Sequence, residues 1–169
     1  YISLAYQMFP QSPSPSVYTW SAIISSLSHA KQGVQALALF QEMQRTNENG
    51  MVPDKHVFLA VLKGCSSVLA LRLIHCLIVQ DGLKEDVTLS NCLIDTYAKC
   101  KCLLDARRVF DEQEERDTIT WSSLMIGYAQ HGYGHDVIML YSKMSEEGIE
   151  PNRVTILSVL KACSTFGLL

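Results

Sequence analysis

Asn-Cys-Leu-Ile-Asp-Thr-Tyr-Ala-Lys-Cys at residues 91–100 runs on through Leu104-Asp105-Ala106-Arg107-Arg108-Val109-Phe110. It is answered 31 residues later by Trp121-Ser122-Ser123-Leu124-Met125-Ile126-Gly127-Tyr128-Ala129-Gln130 and Asp136-Val137-Ile138-Met139-Leu140-Tyr141. Laid over one another without a gap, Leu93 falls on Leu124, Tyr97-Ala98 on Tyr128-Ala129, Asp105 on Asp136 and Phe110 on Tyr141. An internal period of this length is the mark of a solenoid, in which each small unit buries its apolar face on its neighbours rather than in one central core.

The pattern extends outward in both directions. Trp20, Ile23, Ile24 and Leu27 stand at i, i+3, i+4, i+7, then a Gln32-Gly33 break, then Ala36, Leu39, Phe40 and Met43. This is the signature of two helices joined by a short turn. Trp121, Leu124, Met125 and Tyr128, followed by Val137, Leu140, Tyr141 and Met144, repeat it. Phe58 to Ser66 and Ile156 to Ser164 form another pair, identical at six of nine places. The expected organisation is one array over 1–169: half a short repeat (1–16), a 38-residue ordinary repeat (17–54), a 32-residue long repeat (55–86), a 31-residue short repeat (87–117), a 35-residue ordinary repeat (118–152) and a truncated long repeat (153–169). The first ordinary repeat is longer than the second by three residues, placed in a polar surface loop around Thr46-Asn47-Glu48-Asn49.

Composition suits buried helices: 48% of residues are hydrophobic, with five prolines and nine glycines. Fourteen Lys+Arg against 17 Asp+Glu leave a net charge of −3, so the chain has no general attraction for polyanions. Six cysteines read as small buried thiols, since Cys65 and Cys163 occupy equivalent places in two repeats. Cys100-Lys101-Cys102 lacks zinc-pair spacing, and no metal is expected. No apolar run approaches the roughly 20 residues of a membrane span. No phosphate loop or nucleophile elbow is present, so no catalytic residue or cofactor is expected. His131 and His135 fall in an interhelical turn with Gly132 and Gly134 and need no function. The chain opens at Tyr1 without an initiator methionine or a basic, serine-rich presequence, and is expected to be part of something longer.

Thr19-Trp20-Ser21-Ala22-Ile23-Ile24, Ala36 to Met43, Val61 to Ser66, Asn91 to Cys100 and Ala106 to Glu112 closely resemble the plant pentatricopeptide repeat proteins. The likeness is to the subclass in which ordinary, long and short repeats alternate. It implies an all-α fold, a right-handed superhelical α-solenoid of helix-turn-helix repeats, in a mitochondrion or chloroplast. It also implies binding of single-stranded RNA, about one nucleotide per repeat, each base read by two or three side chains. The Cys-x-x-Cys and histidine–glutamate elements of the deaminase domain carried by some relatives are missing.

In the family the fifth residue of a repeat and its last residue read the base, and the second packs on its face. Carried over, the first ordinary repeat offers Ser21 with Asp54, and Tyr18 for stacking; the short repeat Asn91 with Asp117, and Thr88; the second ordinary repeat Ser122 with Asn152, and Ile119. The family's code makes these readers of G, U and A. The long repeat has Leu59 opposite Asp86, and leucine has no polar edge to read with. That repeat also runs three to four residues short around Ser66 to Leu73. Each last-place Asp or Asn also precedes a helix, where capping alone would account for it. Trp20 and Trp121 read as core residues, and Lys63, Lys99 and Lys161 as candidates for a phosphate path. The alternative is a protein-interaction scaffold holding a partner or an editing cofactor, with little RNA contact.

Overall fold

In the computed structural model, residues 16–46 and 52–165 are described. They form nine α-helices and, among the described residues, no strand: α1 (Val17–His29), α2 (Gly33–Arg45), α3 (Lys55–Gly64), α4 (Val68–Gln80), α5 (Val87–Lys99), α6 (Leu103–Glu112), α7 (Thr118–Gln130), α8 (Gly134–Glu146) and α9 (Arg153–Thr165). The half repeat read at 1–16, save its last residue Ser16, all but the edges of the loop between Met43 and Pro53, and the last four residues lie outside this set. No described helix is long and apolar enough to cross a membrane.

The chain divides into two compact lobes, Tyr1–Leu83 and Lys84–Leu169. In the first, α1 packs on α2 and α3, α2 packs on α3, and α3 on α4. In the second, α5 packs on α6 and α7, and α7 on α8 and α9, so that α5, α7 and α9 stand side by side. The apolar stripes fill the space between. Trp20, Ile24, Leu27, Phe40, Met43, Phe58, Leu62, Leu71 and Ile74 are buried in the first lobe. Leu93, Ile94, Tyr97, Phe110, Trp121, Leu124, Met125, Val137 and Met144 are buried in the second. Both tryptophans are therefore core. Phe110 meets Trp121 edge to face with centroids 4.8 Å apart, a geometry that adds to simple burial.

Caps set the helix starts. Ser16 caps α1, Asp54 α3, Ser67 α4, Asp86 α5 and Asp117 α7, each side chain accepting from an N–H in the first turn. Three hairpin turns close with the same bond: Gln32 N–H to Leu27 O, Cys102 N–H to Tyr97 O and Tyr133 N–H to Tyr128 O, each 2.9 Å. The turn needs a left-handed residue, supplied by Lys31 (φ 60°), Lys101 (φ 62°) and Gly132 (φ 81°). Two helices are cut to ten residues where the others have thirteen. One is α6; the other is α3, whose end lies just ahead of the Ser66–Leu73 stretch where the sequence locates the shortfall.

The histidines depart from the sequence reading. His131 is half-buried and its Nε2 lies 2.8 Å from Ala98 O, tying the α7–α8 turn to α5. His135 belongs to α8 rather than to the turn. All six cysteines are free thiols, but none is buried as the sequence reading had it: Cys76 is exposed and the other five are half-buried; burial pushes the Cys65 thiol up.

Candidate functional site

In the first lobe, an open groove of about 540 Å³ runs between α1 and α3. Its lining includes Tyr18, Ser21 and Asp54, the three residues that the first ordinary repeat contributes. The helical period explains the gathering: Tyr18, Ser21, Ala22 and Ser25 share one face of α1, and Asp54 stands at the start of α3 beside them. Tyr18 is 81% exposed, a large apolar ring held in solvent with its face available. Asp54 Oδ1 accepts from Val57 N–H at 2.9 Å and so caps α3. Sequence reasoning left out His56, Ser25 and His29, which also line it; Leu59, read as a fifth residue with no polar edge, and Lys63, a candidate for a phosphate path, line it too. His56 was within reach, because it stands two places after Asp54 as Tyr18 stands two places after Ser16.

In the second lobe, the short repeat's two candidate readers touch. Asn91 Nδ2 donates to Asp117 Oδ1 at 3.3 Å, across 26 residues of chain. The same oxygen accepts from Thr120 N–H at 2.7 Å and from the Thr120 hydroxyl at 2.8 Å, while Asp117 N–H donates to the Thr120 hydroxyl oxygen at 3.2 Å and completes a capping box. Partial burial would raise the Asp117 carboxyl, but it is outweighed by the bonds from Thr120, Asn91 and Ile119, which hold it below the usual carboxylate range. Asp117 is therefore ionised at neutral pH and only accepts. Among the described residues, the bonds from Asn91 and Thr120 all fall on Oδ1. Asn91 Oδ1 is buried and has no partner among them, an acceptor left open at a cost.

The third pair is less open. Ser122 is only 4% exposed and its hydroxyl donates to Ile119 O at 3.1 Å, within its own helix turn. Asn152 is half-buried, its Oδ1 accepting from Thr155 N–H at 2.9 Å and from the Thr155 hydroxyl at 3.1 Å. No hydrogen bond joins Ser122 to Asn152 among the described residues. The second-place side chains are all in solvent: Thr88 is exposed, Ile119 is 56% exposed, and Val154 holds the same register on α9. Leu59 belongs to the first lobe and Asp86 to the second. Lys63 and Lys161 are exposed, whereas Lys99 is engaged with Asp95 on its own helix.

A family model described as a PPR repeat family matches residues 116–165. Another, described as a PPR repeat, matches residues 18–47 and 89–116. A mitochondrial pentatricopeptide repeat-containing protein of Arabidopsis thaliana is 39% identical over 153 residues, 89% of this chain and 20% of the relative. A second mitochondrial one from the same plant is 37% identical over 154 residues, 89% of this chain and 17% of the relative. A chloroplastic one, also from Arabidopsis thaliana, is 33% identical over 171 residues, 99% of this chain and 27% of the relative. The chain thus spans about a quarter or less of these curated relatives' length. Among solved structures, the pentatricopeptide repeat protein PPR10 in complex with an 18-nt psaJ RNA element superposes with a TM-score of 0.82 at 19% identity, over 96% of this chain and 24% of that one. PPR10 from maize gives 0.70 at 23% identity, over 98% of this chain and 24% of that one. At these identities the likeness speaks to the fold, a solenoid of helical hairpins.

Proposed function

The chain belongs to the pentatricopeptide repeat family, and from that premise we propose that it binds single-stranded RNA sequence-selectively, about one nucleotide per repeat. The observation that carries the reading is the groove that gathers Tyr18, Ser21 and Asp54. Its volume of about 540 Å³ suits one nucleotide, within the roughly 300–1,000 Å³ of small-ligand clefts. Tyr18 offers a ring to stack on, worth roughly 1–3 kcal/mol per base. Ser21 offers a hydroxyl and Asp54 a carboxylate for the base edge. We assign Asn91 with Asp117, and Ser122 with Asn152, to two further bases, the buried Ser122 hydroxyl having to turn from Ile119 O to take part, giving a 5′-to-3′ preference of G, one unread position, U, A. PPR10, the structural relative, is bound to RNA in its solved complex.

We read the chain as a binding module rather than an enzyme, from the subclass with alternating repeat lengths; the ten-residue α3 and α6 support that arrangement. The relatives' mitochondrial and chloroplastic names favour an organelle, and editing or another processing step as the task. With a net charge of −3 the chain gains little from counterion release, so stacking and hydrogen bonding supply the affinity. Fluorescence anisotropy on the full chain, with RNAs varied singly at the G, U and A, tests the reading. Each change should weaken binding roughly five-fold, about 1 kcal/mol, and Asn91→Ser should redirect the U position toward G. Indifference to all three base changes refutes it.

One observation favours a protein partner instead. Leu69, Leu73 and Val79 are 75%, 64% and 45% exposed along one side of α4, with exposed Cys76 between them. In that reading RNA affinity ignores Asn91→Ser, and a Leu69→Lys/Leu73→Lys chain loses a protein partner that the native chain keeps.

A further inference from the structure

The short repeat ends its second helix in a way that the long repeat and the second ordinary repeat do not. Four residues before the caps Asp86 and Asn152 stand Gly82 and Gly148, both at φ 72°. They reverse the chain so that Leu83 N–H reaches Ile78 O at 3.0 Å and Ile149 N–H reaches Met144 O at 3.1 Å. Four residues before Asp117 stands Gln113, extended at φ −78° and ψ 126°. The left-handed closure is missing, and α6 stops three residues early.

Two side chains do its work. Arg116 Nε donates to Phe110 O at 2.9 Å and its Nη2 to Asp111 O at 3.2 Å, satisfying the end of α6, while the guanidinium lies 4.9 Å over the Phe110 ring. It also faces Glu147 at 4.0 Å. Gln113 is 6% exposed and donates through Nε2 to Lys84 O at 2.9 Å. That carbonyl also accepts the hydroxyl of Ser90 at 3.3 Å, the residue beside Asn91 on α5. Gln113 therefore pins the link that carries Asp117 to the entry of the helix that carries Asn91, and Arg116 pins the same link to α6.

We propose that Gln113 and Arg116 are positioning residues for the Asn91–Asp117 pair, holding the 113–117 link where the amide of one meets the carboxylate of the other. The functional consequence rests on the RNA reading above: the base preference facing the short repeat is set by this tether as well as by the two readers.

Gln113→Leu removes the donor and keeps buried bulk, while Ser90 still serves Lys84 O. Arg116→Lys keeps the charge and loses the fork, and decides the matter if Gln113→Leu fails to fold. The first measurement uses the full chain without RNA, by NMR. The Asn91 side-chain amide signals should move toward those of a free amide, and the Asp117 carboxyl should titrate at higher pH than in the native chain, with helix content unchanged. Native signals in both folded variants overturn the proposal. The second measurement uses RNA. Preference for U opposite the short repeat should fall several-fold while preference opposite Ser21–Asp54 and Ser122–Asn152 stays. An equal loss at all three positions, in step with a lowered melting temperature, overturns the proposal in favour of a purely structural role. If the native chain shows no preference opposite the short repeat, the RNA reading fails, and the amide and titration signals still judge the tether.

Discussion

Gly127→Ala is the sharpest test of how closely the repeats are packed. The position is the tenth of thirteen in α7, where alanine in place of glycine ordinarily gains about 1 kcal/mol. Here the added methyl would lie 2.6 Å from Ala98 Cβ and 3.6 Å from Leu103 Cδ2. Carbon atoms in comfortable contact stand at about 3.5–4.0 Å, so α5 and α7 must part by roughly 1 Å. Ala98 has no rotamer with which to yield. Overpacking costs about 1–3 kcal/mol, and two rigid backbones place this case at the upper end. The strain is compounded next door, because His131 Nε2 lies 2.8 Å from Ala98 O across the same gap. Set against the propensity gain, the net loss should be about 2 kcal/mol. For a chain of this length that lowers the melting temperature by about 4–8 °C, read by circular dichroism. Ala98→Gly in the same chain removes the opposing methyl, so the double variant should be more stable than the two single losses added together. A melting temperature that rises in Gly127→Ala, or strictly additive losses, refutes the argument.

Lys101→Gly relieves a left-handed lysine at φ 62°. The strain of roughly 1–2 kcal/mol is partly offset by glycine's freer unfolded chain, so thermal melting should show a gain of about 0.5–1 kcal/mol. Asp117→Asn keeps a capping side chain and removes the charge. Because the folded carboxyl is held below its ordinary value, its stabilisation is complete above the unfolded value near 3.9 and disappears as pH falls through the lower folded one. The melting gap between native and variant chains should therefore be widest near neutrality and close in strong acid; a gap independent of pH contradicts this. Asn152→Asp should move the base preference at its nucleotide from A toward G in the anisotropy assay, with Thr155 still capped.

The helical hairpins were legible because the pattern that writes them is local: apolar side chains at i, i+3, i+4 and i+7 must share a face whatever lies beyond. The 31-residue echo from Asn91 to Tyr141 then aligned the candidate readers, and the structure brings Tyr18, Ser21 and Asp54 into one groove and Asn91 onto Asp117. What escaped depends on partners distant in sequence. Gln113 reads as an unremarkable polar residue until Lys84 O stands 2.9 Å away. Ser122 and Ser21 are indistinguishable by position, yet one is closed off and the other lines a groove. His131 looks like a turn residue until the carbonyl of Ala98 meets it. Each of these is decided by the packing of one repeat on the next, which no single period contains.

Capping and the proposed base reading at the last place of a repeat need not compete, because the side chain has two ends. Asp117 gives Oδ1 to the first turn of α7, and Asn152 gives Oδ1 to the first turn of α9. The other end differs in kind: Oδ2 of Asp117 is an acceptor, and Nδ2 of Asn152 is a donor. The Watson–Crick edges of G and U centre on an N–H, and that of A centres on a bare ring nitrogen. An acceptor at the last place therefore matches G or U, and a donor matches A, before the fifth residue acts at all. On the RNA reading proposed above, helix capping fixes which end of the side chain is spent, and so which end is left to face a base.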